Sequence, residues 1–527
     1  MGNIALDLAA VLPNNSQTTK VTSPAPSVRR NVVANYLGQG WAALMGLAFV
    51  PVYIHYLGIE AYGLIGFLVV LQTWLSILDS GLTPTLSREM SRFLAGAHTA
   101  QSIGNLMRSV ELAALALSAV VLGSVCLASG WLAHEWLQAG RISLAEVALS
   151  IKVMAVIVAA RFLEALYRGA MAGLQRQVQL NVLGASVATL RNVGAVAVLA
   201  WGAPTLVAFM YFQAAVSLLS VLLFAAVTHR ALPPSTKPAH FDSAALANVK
   251  RFMGGMFGIS VLALLLTQVD KLLLSRLLPL DGFGVYMLAA AVAGVLSVLI
   301  GPVSSAVYPR LVQLVAEGET QALAKTYHDS AQMVAVFTAP VLMLLIFQST
   351  GIVYAWSGDA GLAARVAPVL APLALGTFLN GLMNMPYHLQ LAYGWTSLTL
   401  KTNLVAVALL VPAILLLVPL YGGVAAAWIW VALNAGYVTI AAQLMHRRLL
   451  QTEKRRWYLE AVLLPTLAAA AAATVCLPLQ PAGDAARWVW GAFLLLMGGA
   501  TLLAAMVGSS AIRARAAAHI VRLAASR

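Results

Sequence analysis

Apolar blocks of about twenty residues recur along almost the whole chain, separated by short polar connections. An α-helix rises about 1.5 Å per residue, so each block can cross a bilayer core of about 30 Å. Fourteen spans are read at roughly 32–54, 62–84, 106–128, 147–170, 181–201, 204–228, 252–276, 283–306, 328–350, 363–387, 399–419, 422–445, 459–479 and 487–510. The expected fold is all-α and polytopic.

Composition agrees. Of 527 residues, 61% are hydrophobic and 9% charged, with mean hydropathy +0.85. A soluble surface needs about a quarter charged residues, so cytosolic enzymes, secreted domains and disordered chains are excluded. The net charge of +14 is read as cytoplasmic-loop charge, not as a nucleic-acid surface. Twenty-four of the 32 Lys and Arg fall on one set of loops and the two tails, and four (Arg141, Arg276, Arg365, Arg487) on the other. The remaining four, Lys152, Arg161, Arg191 and Lys271, lie within spans. The split places both termini in the cytoplasm. Ile4–Leu12 contains Asp7, has no basic residue before it and is too short for a signal peptide; Leu6 excludes a myristoylation motif.

Leu57-Gly58-Ile59-Glu60-Ala61-Tyr62-Gly63 and Leu278-Pro279-Leu280-Asp281-Gly282-Phe283-Gly284 join spans 1 to 2 and 7 to 8, at an offset of 221. Val28-Arg29-Arg30 and Val249-Lys250-Arg251 share that offset. Six spans separate the copies, so both have one orientation, as in parallel-repeat transporters. The expected organisation is a flexible cytoplasmic tail (1–28), a six-helix N-lobe (29–230) and an inter-lobe cytoplasmic linker (231–250). A C-lobe (251–450), spans 13–14 (451–510) and a basic cytoplasmic tail (511–527) follow.

Polar residues inside apolar helices face protein or water. Four spans carry such a stripe at helical spacing: Asn31, Asn35, Gln39; Gln72, Ser76, Asp79, Thr83; Thr267, Gln268, Lys271, Ser275; and Thr377, Asn380, Asn384, His388. Each either lines a polar cavity or binds helices together. Arg161 sits about 21 Å into its span, at 1.5 Å per residue. It either meets an anionic ligand or forms a structural cluster with Glu164 and Arg168 on the same face. Arg191 has no acidic partner on its own span, and Gly184, Ala188 and Gly194 share its face, which makes it a strong candidate for an anion. Lys271 follows Asp270 and either pairs with it or binds. Lys152 can snorkel outward or bind. Asp79 and Asp270 are candidates for ion coupling, with Arg88 or Arg92 as alternative partners of Asp79.

No Walker A loop, HExxH or Cys/His cluster is present, and Cys126 and Cys476 form no disulfide framework. The reading therefore expects no cofactor, no metal and no catalytic residue. The loops on the less basic side are short, at most about 131–146 and 351–362, too small for a sugar-transferring domain.

Asn35…Pro51…Leu57-Gly58…Tyr62-Gly63…Leu78-Asp79-Ser80-Gly81-Leu82 resembles the Wzx-type polysaccharide-biosynthesis flippases. These belong to the multidrug/oligosaccharidyl-lipid/polysaccharide exporter superfamily. Asp270-Lys271-Leu272-Leu273-Leu274, Gly284-Val285-Tyr286 and Tyr308-Pro309-Arg310 are similar to that family's second lobe. The resemblance covers roughly 28–450, is weaker toward the lipid II flippase branch, and does not extend to the polar N-terminal tail. It implies a cavity lined by basic residues between the two pseudo-symmetric lobes; spans 13 and 14 lie outside the duplicated unit as two extra C-terminal helices. It further implies outward movement of a polyprenyl-diphosphate-linked oligosaccharide by alternating access, in the bacterial inner membrane, for O-antigen, capsule or exopolysaccharide, with polymerase machinery as a possible partner. Arg191, Arg161, Lys271 and Lys152 would then contact the diphosphate, and Asn35, Gln39, Gln72, Ser76, Asn380 and Asn384 would line the cavity. An ion-coupled multidrug or small-solute exporter on the same scaffold is the alternative, and a non-transporting assembly factor a third class.

Overall fold

The computed structural model describes residues 28–234 and 237–514. The N-terminal tail and nearly all of the basic C-terminal tail lie outside them, as do the side chains of Arg29, Arg30, Asn31, Lys250 and Arg251. Among the described residues the chain is helical throughout, with one isolated bridge, Gln138 to Pro279, in place of a sheet.

The helices in chain order are α1 (Val28–Ala48), α2 (Val50–Leu75), α3 (Leu82–Leu94), α4 (Ala100–Trp131), α5 (Leu144–Gly173), α6 (Gln177–Ala197), α7 (Leu206–Ala231) and α8 (Ser243–Leu277). Then come α9 (Leu280–Ala293), α10 (Val295–Glu317), α11 (Thr320–Phe347), α12 (Ser349–Ser357), α13 (Ala360–Leu382), α14 (Asn384–Ala392) and α15 (Ser397–Gly436). Two further apolar helical segments, Gln451–Leu479 and Arg487–Gly508, end the bundle.

Ten segments among the described residues are long and apolar enough to cross a membrane, against fourteen expected crossings. The difference has physical sources. Ser397–Arg448 has 52 residues, about 78 Å at 1.5 Å per residue, too long for one crossing. It is broken at Gly422, whose φ of 65° favours a residue without Cβ. Gly58, at φ 81°, breaks α2 in the same way. In α5, Lys152, Arg161, Glu164 and Arg168 dilute an otherwise apolar helix.

Several expected spans are not continuous helices: span 1 breaks at Phe49 and span 9 at Gln348. Span 2 leaves the α-helix at Leu75 and turns through 76–81 before α3, where the Ser76 and Ser80 hydroxyls donate to the carbonyls of Thr73 (2.7 Å) and Ile77 (2.6 Å). Such side-chain bonds offer the backbone an alternative to the helix. Spans 8 and 10 break at Gly294 and Met383. The stripe Gln72–Thr83 is therefore not one helix face.

The two hairpins that share the 221-residue offset meet. A Cβ on Gly63 would collide with the carbonyl oxygen of Leu280, and one on Gly284 with that of Ile59. Ile59 and Leu280 are themselves 221 apart, so the contact is reciprocal. The acids in the same register also correspond. Glu60 accepts the amide N–H groups of Gly140 (2.6 Å) and Arg141 (3.0 Å), while Asp281 accepts Arg365 Nη2 (2.7 Å). The amide of Leu280 donates to Gln138 O at 2.9 Å and closes this end of the bundle further.

At the other end α3 runs beyond the apolar segment. Its buried Glu89 pairs with Arg92 (2.9 Å) and His98 (2.8 Å). Burial alone would raise the Glu89 pKa, but the bonds from His98 and Arg92 outweigh it and hold the carboxyl below its ordinary range. The connection between α7 and α8 docks on α4 through Asn105 to His240 and Ser109 to Asp242. The last two segments pack on α11, where buried His328 meets Glu453 at 2.7 Å and Gln332 accepts from Ser509 at 2.7 Å.

Candidate functional site

The positions of Arg161, Glu164 and Arg168 on α5 follow from helical spacing: steps of three and four place them on one face. Ser143 caps the helix by accepting the Glu146 amide at 3.2 Å, and Val147, Ile151 and Met154 fix its buried side. α6 runs beside this face and brings in Arg191. Glu164 lies 3.4 Å from Arg168 and 4.0 Å from Arg191. Arg161 donates instead to Gln72 Oε1 at 2.5 Å. Gly184 leaves room for the Arg168 guanidinium, whose Cζ stands 5.1 Å from the Phe224 ring centre.

Arg191 has no acidic partner on its own span, as read from the sequence; Glu164 approaches it from the neighbouring helix, at the outer limit of an ion pair. The expected Arg–Glu–Arg cluster on α5 forms only in part, because Arg161 turns to Gln72. Arg168 and Arg191 share the one carboxylate and Arg161 has only a neutral partner, so the cluster of three guanidiniums and one acid carries two net positive charges. Several donors stay open: Nε of Arg161, and Nε and Nη2 of Arg191, are buried without a hydrogen-bond acceptor. Burying such groups unbonded costs free energy.

Asn35 is engaged elsewhere. It accepts from Asn181 at 2.6 Å, next to Trp41 donating to Thr189 at 2.9 Å, so its stripe binds α1 to α6. Gln39 and Ser76 are exposed. Asp79 accepts the Thr83 hydroxyl at 2.5 Å, while Arg92, one of its expected partners, is taken by Glu89. Lys152 is exposed and away from this cluster's contacts. Lys271 lies 4.0 Å from Asp270 and donates to Gln268 at 3.2 Å; Tyr286 donates to Asp270 at 3.3 Å.

The stripes of α8 and α13–α14 do converge. Thr267, Asn380 and Asn384 line one cleft of 320 Å³, together with Asn403, Trp430 and Tyr437. Asn403, Trp430 and Tyr437 were not singled out from the sequence. Each is a lone polar or aromatic residue in an apolar run, with no periodic signal, and only the packing of α15 on α13 assembles them.

Residues 28–315, more than half of the chain, match the family described as polysaccharide biosynthesis protein. The chain belongs to that family. No curated protein sequence matches it significantly. Among solved structures, a lipid II flippase, MurJ, in an inward closed conformation is similar at TM-score 0.66 and 13% identity, over 90% of this chain and 98% of that one. An inward-facing multidrug resistance MATE family transporter of the MOP superfamily follows at TM-score 0.61 and 13% identity, over 80% and 99%. The MATE multidrug transporter DinF-BH gives TM-score 0.57 and 14% identity, over 83% and 98%. The family member thus has the fold shared by MOP-superfamily proteins, and the ten long apolar helical segments among its described residues are those of a multi-pass membrane protein. The resemblance read from Leu57-Gly58 and Leu78–Leu82 is borne out.

Proposed function

We propose that this protein flips a polyprenyl-diphosphate-linked oligosaccharide across the bacterial cytoplasmic membrane for surface polysaccharide assembly. The observation that carries the reading is the excess of buried, unbonded guanidinium donors around Glu164. A diphosphate joining lipid to sugar carries two negative charges and offers oxygens to those donors. Guanidinium binds phosphate through paired, charge-assisted hydrogen bonds, and these strengthen where water is scarce. Family membership and the flippase-like fold support the same substrate class. A multidrug cation is served less well, because Glu164, the acid in this cluster, is already shared between Arg168 and Arg191.

In this reading residues 29–230 and 251–450 are the two lobes, both termini are cytoplasmic, and the Gly63–Gly284 crossing seals the periplasmic end. Substrate would enter from the cytoplasm, and the anion would offset the repulsion among Arg161, Arg168 and Arg191. That gives it differential affinity for a more closed state, which alternating access requires.

Deleting the gene is expected to abolish surface glycan while lipid-linked precursor accumulates on the cytoplasmic leaflet. Mass spectrometry of extracted lipids, with surface glycan measured in parallel, checks this. Unchanged surface glycan without precursor accumulation would contradict the proposal.

A further inference from the structure

The cleft in the second half of the chain has a composition that interhelical packing alone does not explain. Its lining includes Asn380, Asn384, Gln390, Asn403, Trp430 and Tyr437, and among the described residues contains no Asp, Glu, Lys or Arg. Gln390 is buried, Asn384 and Asn403 are half-buried and Asn380 is exposed toward the cleft, and amides set among apolar helices cost free energy where their hydrogen bonds are not made. Here they are made only in part. Asn380 donates to Asn434 Oδ1 at 2.8 Å, and Asn403 accepts the Tyr437 hydroxyl at 2.8 Å. The side-chain carbonyl of Asn380 and the amide N–H groups of Asn403 have no partner among the described residues, so the cleft offers both an acceptor and donors.

The aromatic wall is built in. Gly376 carries no Cβ where one would collide with the Trp430 ring, and Thr377 Oγ1 accepts the Trp430 Nε1 proton at 3.4 Å. The break at Met383 between α13 and α14 turns Asn384 into the cleft, where it accepts from Ser304.

We propose that this cleft is a subsite for a neutral pyranose. A sugar ring presents hydroxyls that both donate and accept, and a C–H face that packs on aromatic rings. Asn, Gln, Thr, Trp and Tyr without a charge match both features. The 320 Å³ volume suits one or two rings, near the lower end of the roughly 300–1,000 Å³ of small-molecule sites. The nearest charges on α8, Lys271 and Asp270, lie about one helical turn beyond the cleft-lining Thr267 and pair with each other at 4.0 Å, so they leave the cleft surface neutral. The lack of any charged lining residue selects against uronic acids and against cationic drugs. The proposal rests on the flippase reading and adds to it the class of sugar.

The test uses the purified full chain in lipid nanodiscs and two kinds of probe: undecaprenyl diphosphate alone, and undecaprenyl diphosphate bearing N-acetylglucosamine, glucose or galactose. The wild-type protein is expected to bind at least one sugar-bearing probe about tenfold more tightly than the bare lipid, the size of one or two good hydrogen bonds. Asn403→Ala and the conservative Tyr437→Phe should erase that preference and leave affinity for bare undecaprenyl diphosphate unchanged. Arg191→Ala should weaken both probes. If Asn403→Ala fails to fold, Tyr437→Phe decides. Equal wild-type affinity for all probes, or a preference that survives both variants, overturns the subsite while leaving the diphosphate reading intact. Failure of the wild type to bind any probe overturns both.

Discussion

Arg191→Ala is expected to abolish glycan export at normal protein level, and Arg191→Lys to retain part of it. The variant is safe for folding on geometric grounds. Arg191 reaches Glu164 only at 4.0 Å, and Glu164 keeps Arg168 at 3.4 Å when Arg191 is removed. Its Nε and Nη2 make no hydrogen bond that the fold would lose. What it does lose is a guanidinium able to grip a phosphate with two parallel bonds. Lysine restores the charge but not the fork. Arg161→Ala should lower export too, by less, because Arg161 already spends one donor on Gln72. The measurement is surface glycan per unit of membrane-inserted protein. Loss of the protein itself would instead assign Arg191 to the structural cluster, and full export by both alanine variants would remove the binding site.

Gly63→Ala and Gly284→Ala form the second test, with large effects expected on both stability and cycling. Each added methyl would point at a backbone carbonyl, Leu280 O or Ile59 O, which no side-chain rotation can clear. Forcing space into a packed contact costs about 1–3 kcal/mol. The contact is reciprocal, so the two variants should resemble each other, and the double variant should cost less than their sum because one displacement relieves both. Thermal unfolding in detergent gives the energetic part. A cysteine cross-link between α2 and α9 near the crossing should form readily in the parent and poorly in either variant. Unchanged stability and cross-linking in both would show that the crossing tolerates separation.

Much of this fold was legible because a membrane helix advertises itself by length and apolarity, and because duplicated hairpins keep their register. Gly63 and Gly284 were visible as repeat positions, though not that they touch. The helix breaks were less legible. Ser76–Gly81 fits a helical hydrophobic period, and only its short side chains bonding back to Thr73 and Ile77 end the helix. The site was legible in its residues and not in its pairing. Arg161 and Arg191 stood out as charges deep in apolar runs, but periodicity reports one helix at a time. Glu164 answering Arg191, Gln72 answering Arg161 and Asn181 answering Asn35 are contacts between helices, and no spacing rule contains them. The sugar cleft was half visible, in Asn380 and Asn384. Thr267 of α8 was visible in its stripe as well, and much of the remaining lining comes from α15, whose polar residues are too sparse to form a stripe.

In the proposed function the chain moves a lipid-linked glycan and its basic cluster holds the diphosphate. The most direct measurement is transbilayer movement in proteoliposomes of an undecaprenyl-diphosphate oligosaccharide, read by its accessibility to an added glycan-binding protein. The account predicts movement that depends on the wild-type chain and is lost in Arg191→Ala reconstituted at equal density. Movement no faster than in protein-free liposomes, or equal movement in wild type and Arg191→Ala, would contradict it.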